Sequence, residues 1–236
     1  MLYKQFKELE LSSLGFGTMR LPLIPGGEDK DIDQEELDRM VDCAIAGGVN
    51  YFDTAYPYHG GCSELAIGKS LARYPRESFY LADKFPGHQI VKGVKKLDPE
   101  TIFEEQLKKC GVEYFDFYLL HNINEFSISY YGNPENKYLD YFLEQKANGR
   151  IKHLGFSCHS AAEGLEQFLQ MCGDKLEFCQ IQLNYLDWTL QNAKRKCEIL
   201  KAHGLPVWVM EPVRGGRLAK LDDETDNGML ILPVAD

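Results

Sequence analysis

The sequence predicts an α/β chain folded as a (β/α)8 TIM barrel, and three observations carry that prediction. Short apolar runs alternate along the chain with segments whose apolar residues recur every three or four positions. The runs lack a regular polar face, as parallel strands do when crossover helices cover the sheet. Five polar residues, Asp53, Lys84, His121, Ser157 and Gln180, each sit at or near the carboxyl end of a different run, with consecutive ones 23 to 37 residues apart. In such a barrel every strand ends at one rim, so side chains far apart in sequence converge there.

Residues 2–11 alternate as a hairpin would, and LGFGTM, residues 14–19, reads as a first barrel strand loosened by two glycines. A loop over 22–31 follows. Asp33 with Glu36 then opens a helix to about residue 46, in the manner of a capping box. Further strands are expected at 49–53, 79–84, 115–121, 151–157, 178–183 and 206–210. Helices are expected at 63–72, 99–110, 138–147, 161–171 and 190–203. That makes seven strand-and-helix units, with the eighth missing or replaced. After LDDETDNG the apolar run 229–232 offers a substitute strand. The expectation is therefore one domain over residues 1–236, truncated at its C-terminal end. Unfilled barrel edges would favour association into a homo-oligomer.

Composition supports one domain with a full core: 236 residues, 44% hydrophobic and 12% aromatic, against about 250 for a typical barrel of this class. The first thirteen residues carry charges throughout and hold no apolar stretch suited to a signal peptide or membrane span. Seven cysteines without C-x-x-C spacing read as reduced thiols rather than a disulfide or zinc framework. A cytoplasmic protein is expected, with no membrane partner. The net charge of −10 argues against nucleic acid, which needs basic patches. A phosphorylated cofactor needs only a local cluster of donors and remains compatible.

The chemistry lies in YFDTAYPYHG, residues 51–60, FYLADKF and FYLLH. Asp53, Tyr58, Lys84 and His121, so placed, can reduce a carbonyl. Negative charge grows on the oxygen during reduction, and a positioned donor must stabilise it and deliver a proton. A lysine near the tyrosine favours phenolate and strengthens the phenol as an acid. Asp53 would hold Lys84, and His121 would orient the oxygen. Each residue also has a plainer reading. Asp53 suits a turn, Lys84 a structural ion pair, Tyr56 and Tyr58 packing with a bonded tip, and His121 a core histidine, with His59 and His159 as rim loop residues. Metal-assisted hydrolysis fits poorly, because only His121 and Asp53 are suitable ligands and a lysine stands beside them.

LGFGTMRLP, the DTAxxY segment, IGKSL, LLH and LGFS together resemble the aldo-keto reductase superfamily over residues 14–219. The resemblance implies a barrel that uses NADPH, less often NADH, to reduce an aldehyde or ketone. It implies Tyr58 as general acid, completed by Asp53, Lys84 and His121, with Ser157 and Gln180 on the nicotinamide carboxamide. Cys158 and His159 stand where many members carry asparagine, and Met210 where many carry a stacking aromatic; methionine can still pack on a ring face. Arg214, Gly215, Gly216 and Arg217 would approach the pyrophosphate. MEPVRGGRLAKL resembles a branch that often continues into a cysteine-rich iron–sulfur tail, which this sequence lacks. The family's 2′-phosphate contacts would fall beyond residue 236. The alternative reading is a catalytically weak barrel serving as a cofactor-binding or complex subunit. Tyr56, Phe85, Tyr130 and Tyr131 would form an apolar wall favouring a hydrophobic carbonyl.

Overall fold

The computed structural model describes residues 1–92 and 98–219. β1 (Tyr3–Phe6) and β2 (Leu9–Ser12) form the expected antiparallel hairpin. Seven further strands pair in parallel and in chain order: β3 (Phe16–Gly17), β4 (Tyr51–Asp53), β5 (Tyr80–Phe85), β6 (Phe115–Ile123), β7 (Ile151–Cys158), β8 (Cys179–Gln182) and β9 (Val207–Met210). The helices are α1 (Gln34–Ala46), α2 (Ser63–Leu71), α3 (Pro99–Cys110), the short α4 (Ile128–Tyr131), α5 (Tyr138–Ala147), α6 (Ala162–Cys172), the short α7 (Asp187–Leu190) and α8 (Ala193–Ala202). The two single-turn helices carry too few residues for an apolar period, so sequence reading passed over them. None of the described helices is long and apolar enough to cross a membrane.

Local chemistry sets the helix ends. Asp33 accepts from the Glu36 amide at 3.0 Å and starts α1. Asp98 caps α3 through the Thr101 amide with Pro99 at the first position, and Gly111, at φ 68°, ends it in the left-handed conformation.

The sheet is curled. Trp208 on β9 and Tyr51 on β4 stand five places apart in strand order, which would separate them by about 24 Å in a flat sheet, yet their ring centroids lie 5.0 Å apart. Period-two alternation then divides the side chains between two cores. Phe6, Leu11, Tyr51, Ala82, Phe117, Leu119 and Phe178 fill the inside, and residues such as Phe52, Leu81, Phe85, Tyr118, Leu154, Phe156 and Ile181 pack outward under the helices. The hairpin closes the N-terminal end, where Phe6 meets Phe117 at 5.7 Å, Trp208 at 5.5 Å and Phe178 at 6.0 Å. Glu177 locks that floor by pairing with Lys7 on the hairpin, Lys146 on α5 and His153 on β7. The sheet ends at β3 and β9, which do not pair with each other among the described residues. The candidate eighth strand at 229–232 lies outside the described residues.

Candidate active site

The same alternation puts Asp53, Lys84, His121 and Ser157 on the inner face toward the C-terminal ends of β4 to β7, above the aromatic floor, with Gln180, the second residue of β8, in register with Ser157. Lys84 is 1% exposed, and its ammonium donates to Asp53 Oδ1 at 2.5 Å and to the Thr54 carbonyl at 2.7 Å. Burial pulls its pKa down, but Asp53 and Tyr58 outweigh that, so Lys84 lies above the ordinary lysine value and stays charged. Tyr51 and Gln180 both donate to Asp53 Oδ2, each at 3.3 Å, across the barrel mouth. Asp53 is thus fixed from three sides.

Tyr58 enters from the turn after β4. His59, Gly60 and Gly61 all take positive φ there (51°, 60° and 89°), so the chain reverses sharply and returns the phenol toward the strand ends. His59 makes this conformation tolerable for a residue with a Cβ. Its Nε2 accepts from the Leu21 amide at 3.0 Å, and its Nδ1 donates to the Asp29 carbonyl at 2.7 Å. It is therefore a buried clamp on the 21–31 loop rather than a loose rim residue. Lys84 Nζ lies 5.2 Å from the Tyr58 ring centroid, and the His121 ring stands edge-on to Tyr58 at 5.9 Å. Burial raises the Tyr58 pKa by more than Lys84 lowers it, so the phenol stays protonated. That corrects the expectation drawn from lysine proximity alone, which left desolvation out.

His121 reaches inward from a β-bulge in β6, where register shifts between Leu120 and Ile123 and Asn122 adopts φ 59°. Burial, reinforced by Lys84, His88 and His159, holds its imidazole well below the usual histidine value. It is a neutral hydrogen-bonding group, and its Nδ1 is buried with no hydrogen-bond partner among the described residues. Tyr131 donates to the His121 carbonyl at 2.8 Å, and the His88 ring packs edge-on at 4.8 Å.

Ser157 Oγ accepts from the Asn122 amide at 2.9 Å, which leaves its hydroxyl hydrogen to donate elsewhere. Met210 ends β9 half-buried, paired in register with Gln182. Arg214, Gly215, Gly216 and Arg217 form a separate turn beyond it. Arg214 Nε lies 3.3 Å from Asp187 Oδ2, a buried carboxylate that Gln182 and Asn184 also bond. Gly215 (φ 66°) and Gly216 (φ 91°) need their glycines, and a Cβ on Gly215 would meet Arg20 Nη2 at 2.7 Å. Arg217 is exposed.

The expected apolar wall does not exist. Phe85 packs outward on Tyr138 and Phe142, Tyr131 bonds backbone carbonyls, Tyr130 bonds Tyr138, and Tyr56 lies against Lys109 and Glu105. Phe85 immediately follows the inward Lys84, so alternation sends it to the helix side. Sequence reading missed Tyr51, Asn122, His88 and Asp187. Tyr51 alone carried a signal, since it precedes Asp53 by two on one strand face.

The aldo/keto reductase family model matches residues 13–229. The NADH-specific methylglyoxal reductase of Escherichia coli is 27% identical over 227 residues, covering 89% of this chain and 66% of that protein. An aldo-keto reductase of a Mycobacterium species is 24% identical over 193 residues, covering 80% of this chain and 61% of its own length. The chain thus spans about two-thirds or less of these curated relatives. Among solved structures, an aldo-keto reductase from Bacillus halodurans aligns over all of this chain and 78% of its own, with TM-score 0.72 and 23% identity. One from Klebsiella pneumoniae in complex with NADPH aligns over 92% of this chain and 71% of its own, with TM-score 0.68 and 20% identity. Both share the fold. The chain belongs to the aldo/keto reductase family.

Proposed function

We propose that this chain reduces an aldehyde or ketone at the expense of NADPH, with NADH as the alternative, and that Tyr58 is the general acid. The observation that carries this reading is the buried Lys84, held by Asp53 at 2.5 Å with its ammonium 5.2 Å from the Tyr58 ring.

The residues present suit a nicotinamide cofactor. Ser157 retains a hydroxyl hydrogen and Gln180 an inward amide, both fit to hold a carboxamide. Gly215 and Gly216 leave backbone that a pyrophosphate can approach, beside Arg20, Arg214 and Arg217. When bound, the cofactor would supply the hydride. The rest of the work falls to the chain. His121, held neutral by burial, would hydrogen-bond the carbonyl oxygen through a ring N–H and orient it. As negative charge gathers on that oxygen, Tyr58 Oη releases its proton to it. Lys84 stabilises the phenolate left behind, and Asp53 keeps Lys84 charged and in place. The E. coli relative is named for NADH and the Klebsiella structure holds NADPH, so the relatives support a nicotinamide without selecting one.

Tyr58→Phe tests the assignment. Carbonyl reduction should fall by about 10²- to 10⁴-fold, the usual contribution of a general acid. Binding of NADPH, followed by quenching of Trp188 and Trp208 fluorescence, should stay within about twofold, since no cofactor contact is assigned to that phenol. Turnover equal to the parent's would remove Tyr58 from the role.

A further inference from the structure

Lys84 pairs with Leu119 on β6 but sits at a level where the sheet no longer supports its backbone on the β4 side. The Ala82 carbonyl accepts from the Thr54 amide at 3.0 Å, so the backbone groups of Ala82 point toward β4. Those of Lys84, two residues on, point the same way. Yet β4 ends at Asp53, the partner of Ala82, and no strand residue meets Lys84 on that side. Side chains from the outer face take the place of the missing ladder. Asp83 Oδ1 accepts from the Lys84 amide at 2.8 Å, and Gln106 Nε2 donates to the Lys84 carbonyl at 3.1 Å. Gln106 is held in turn by Glu64 Oε1 at 2.9 Å and by the Tyr118 hydroxyl, and Glu64 Oε2 accepts from Lys109 Nζ at 3.1 Å. Asp83, Glu64, Gln106 and Tyr118 are all fully buried.

Such a cluster is costly unless every member is satisfied, and the chemistry proposed for the inner face uses none of it. Burial and the neighbouring Glu64 push the Asp83 carboxyl well up. Glu64 lies on α2, directly after the Tyr58 turn, so the network also ties the segment that carries Tyr58 to the backbone of Lys84.

We propose that Asp83, Gln106 and Glu64 are positioning residues, which substitute for the absent strand behind Lys84 and fix where its ammonium meets Tyr58. The inference rests on the proton-transfer roles given above to Tyr58 and Lys84.

Asp83→Leu keeps the size but removes the acceptor for the Lys84 amide, whereas Asp83→Asn retains an oxygen there. Gln106→Met keeps the length and donates nothing, and it serves in place of Asp83→Leu should that variant not fold. Asp83→Leu and Gln106→Met should lose at least about tenfold in kcat with the carbonyl KM within about twofold, the pattern of a displaced catalytic group. Asp83→Asn should recover kcat to within about threefold of the parent, because the backbone acceptor is kept. Hydrogen exchange at the Lys84 amide reads the same positioning without activity. It should accelerate at least about tenfold in Asp83→Leu and Gln106→Met while the Leu81 and Leu119 amides hold, a local opening rather than a global one. Folded variants with the parent's kcat and the parent's Lys84 exchange would overturn the inference. If the parent reduces no carbonyl, the enzymatic reading fails, and the exchange rates alone decide the positioning role.

Discussion

On β6 the inward side chain near the start of the strand is Phe117, packed among Phe6, Phe178 and Trp208. Four residues on, the inward side chain is His121, neutral and without a partner at Nδ1. β8 makes the same change: Phe178, just before the strand, stacks on Trp208 at 4.2 Å, while Gln180 reaches Asp53. One strand therefore builds a tight floor and a poised rim within a few residues. Position along the strand, more than the strand itself, decides whether a side chain packs into the floor or joins the polar group at the rim. The floor is built of rings packed on one another, and the rim carries polar side chains.

The floor and the rim should respond in opposite ways to deletion. Phe117→Ala, at the centre of the floor, should cost about 3–5 kcal/mol of stability, read as a lower Tm, with kcat per folded molecule unchanged. A variant that stays as stable as the parent would mean that the floor is not tightly packed. Lys84→Met, at the rim, should reverse that pattern. Reduction should drop by about 10²- to 10⁴-fold, and with Asp53→Asn added, so that no carboxylate is left buried without its cation, Tm should stay near the parent's. A large loss of Tm would instead make Lys84 a structural residue.

Glu177 gives a smaller effect with a pH signature. Burial would raise its pKa, but His153, Lys146, Lys7 and the Leu154 amide together hold it well below its ordinary 4.5. The folded pKa is depressed, so the stabilisation is present above the unfolded value and is lost as pH falls through the folded one. Glu177→Gln should therefore cost about 2 kcal/mol near neutral pH, and the difference from the parent should shrink in denaturant titrations carried below pH 4.5. A difference that is constant with pH would assign the effect to shape rather than charge.

Much of this was legible in the chain. The ends of α1 and α3 follow from Asp33, Pro99 and Gly111, whose capping chemistry acts within a few residues. The polar strand ends followed from alternation, which acts over the same short range. Phe85 and Tyr131 misled because aromatic composition says nothing about which face a side chain takes. His59 misled because its partners, Leu21 and Asp29, lie 38 and 30 residues away.

By itself the sequence determined the order of the strands and longer helices, the family, and the polar residues Asp53, Lys84, His121, Ser157 and Gln180 that share the inner face, because apolar periodicity, caps and motif spacing are local signals. Only the tertiary structure decided that Lys84 rests on Asp83 and Gln106 where β4 has stopped, that burial outweighs lysine at Tyr58, and that His121 stays neutral. Each of those depends on desolvation and on groups brought together by the curl of the sheet, and neither is encoded at any fixed spacing along the chain.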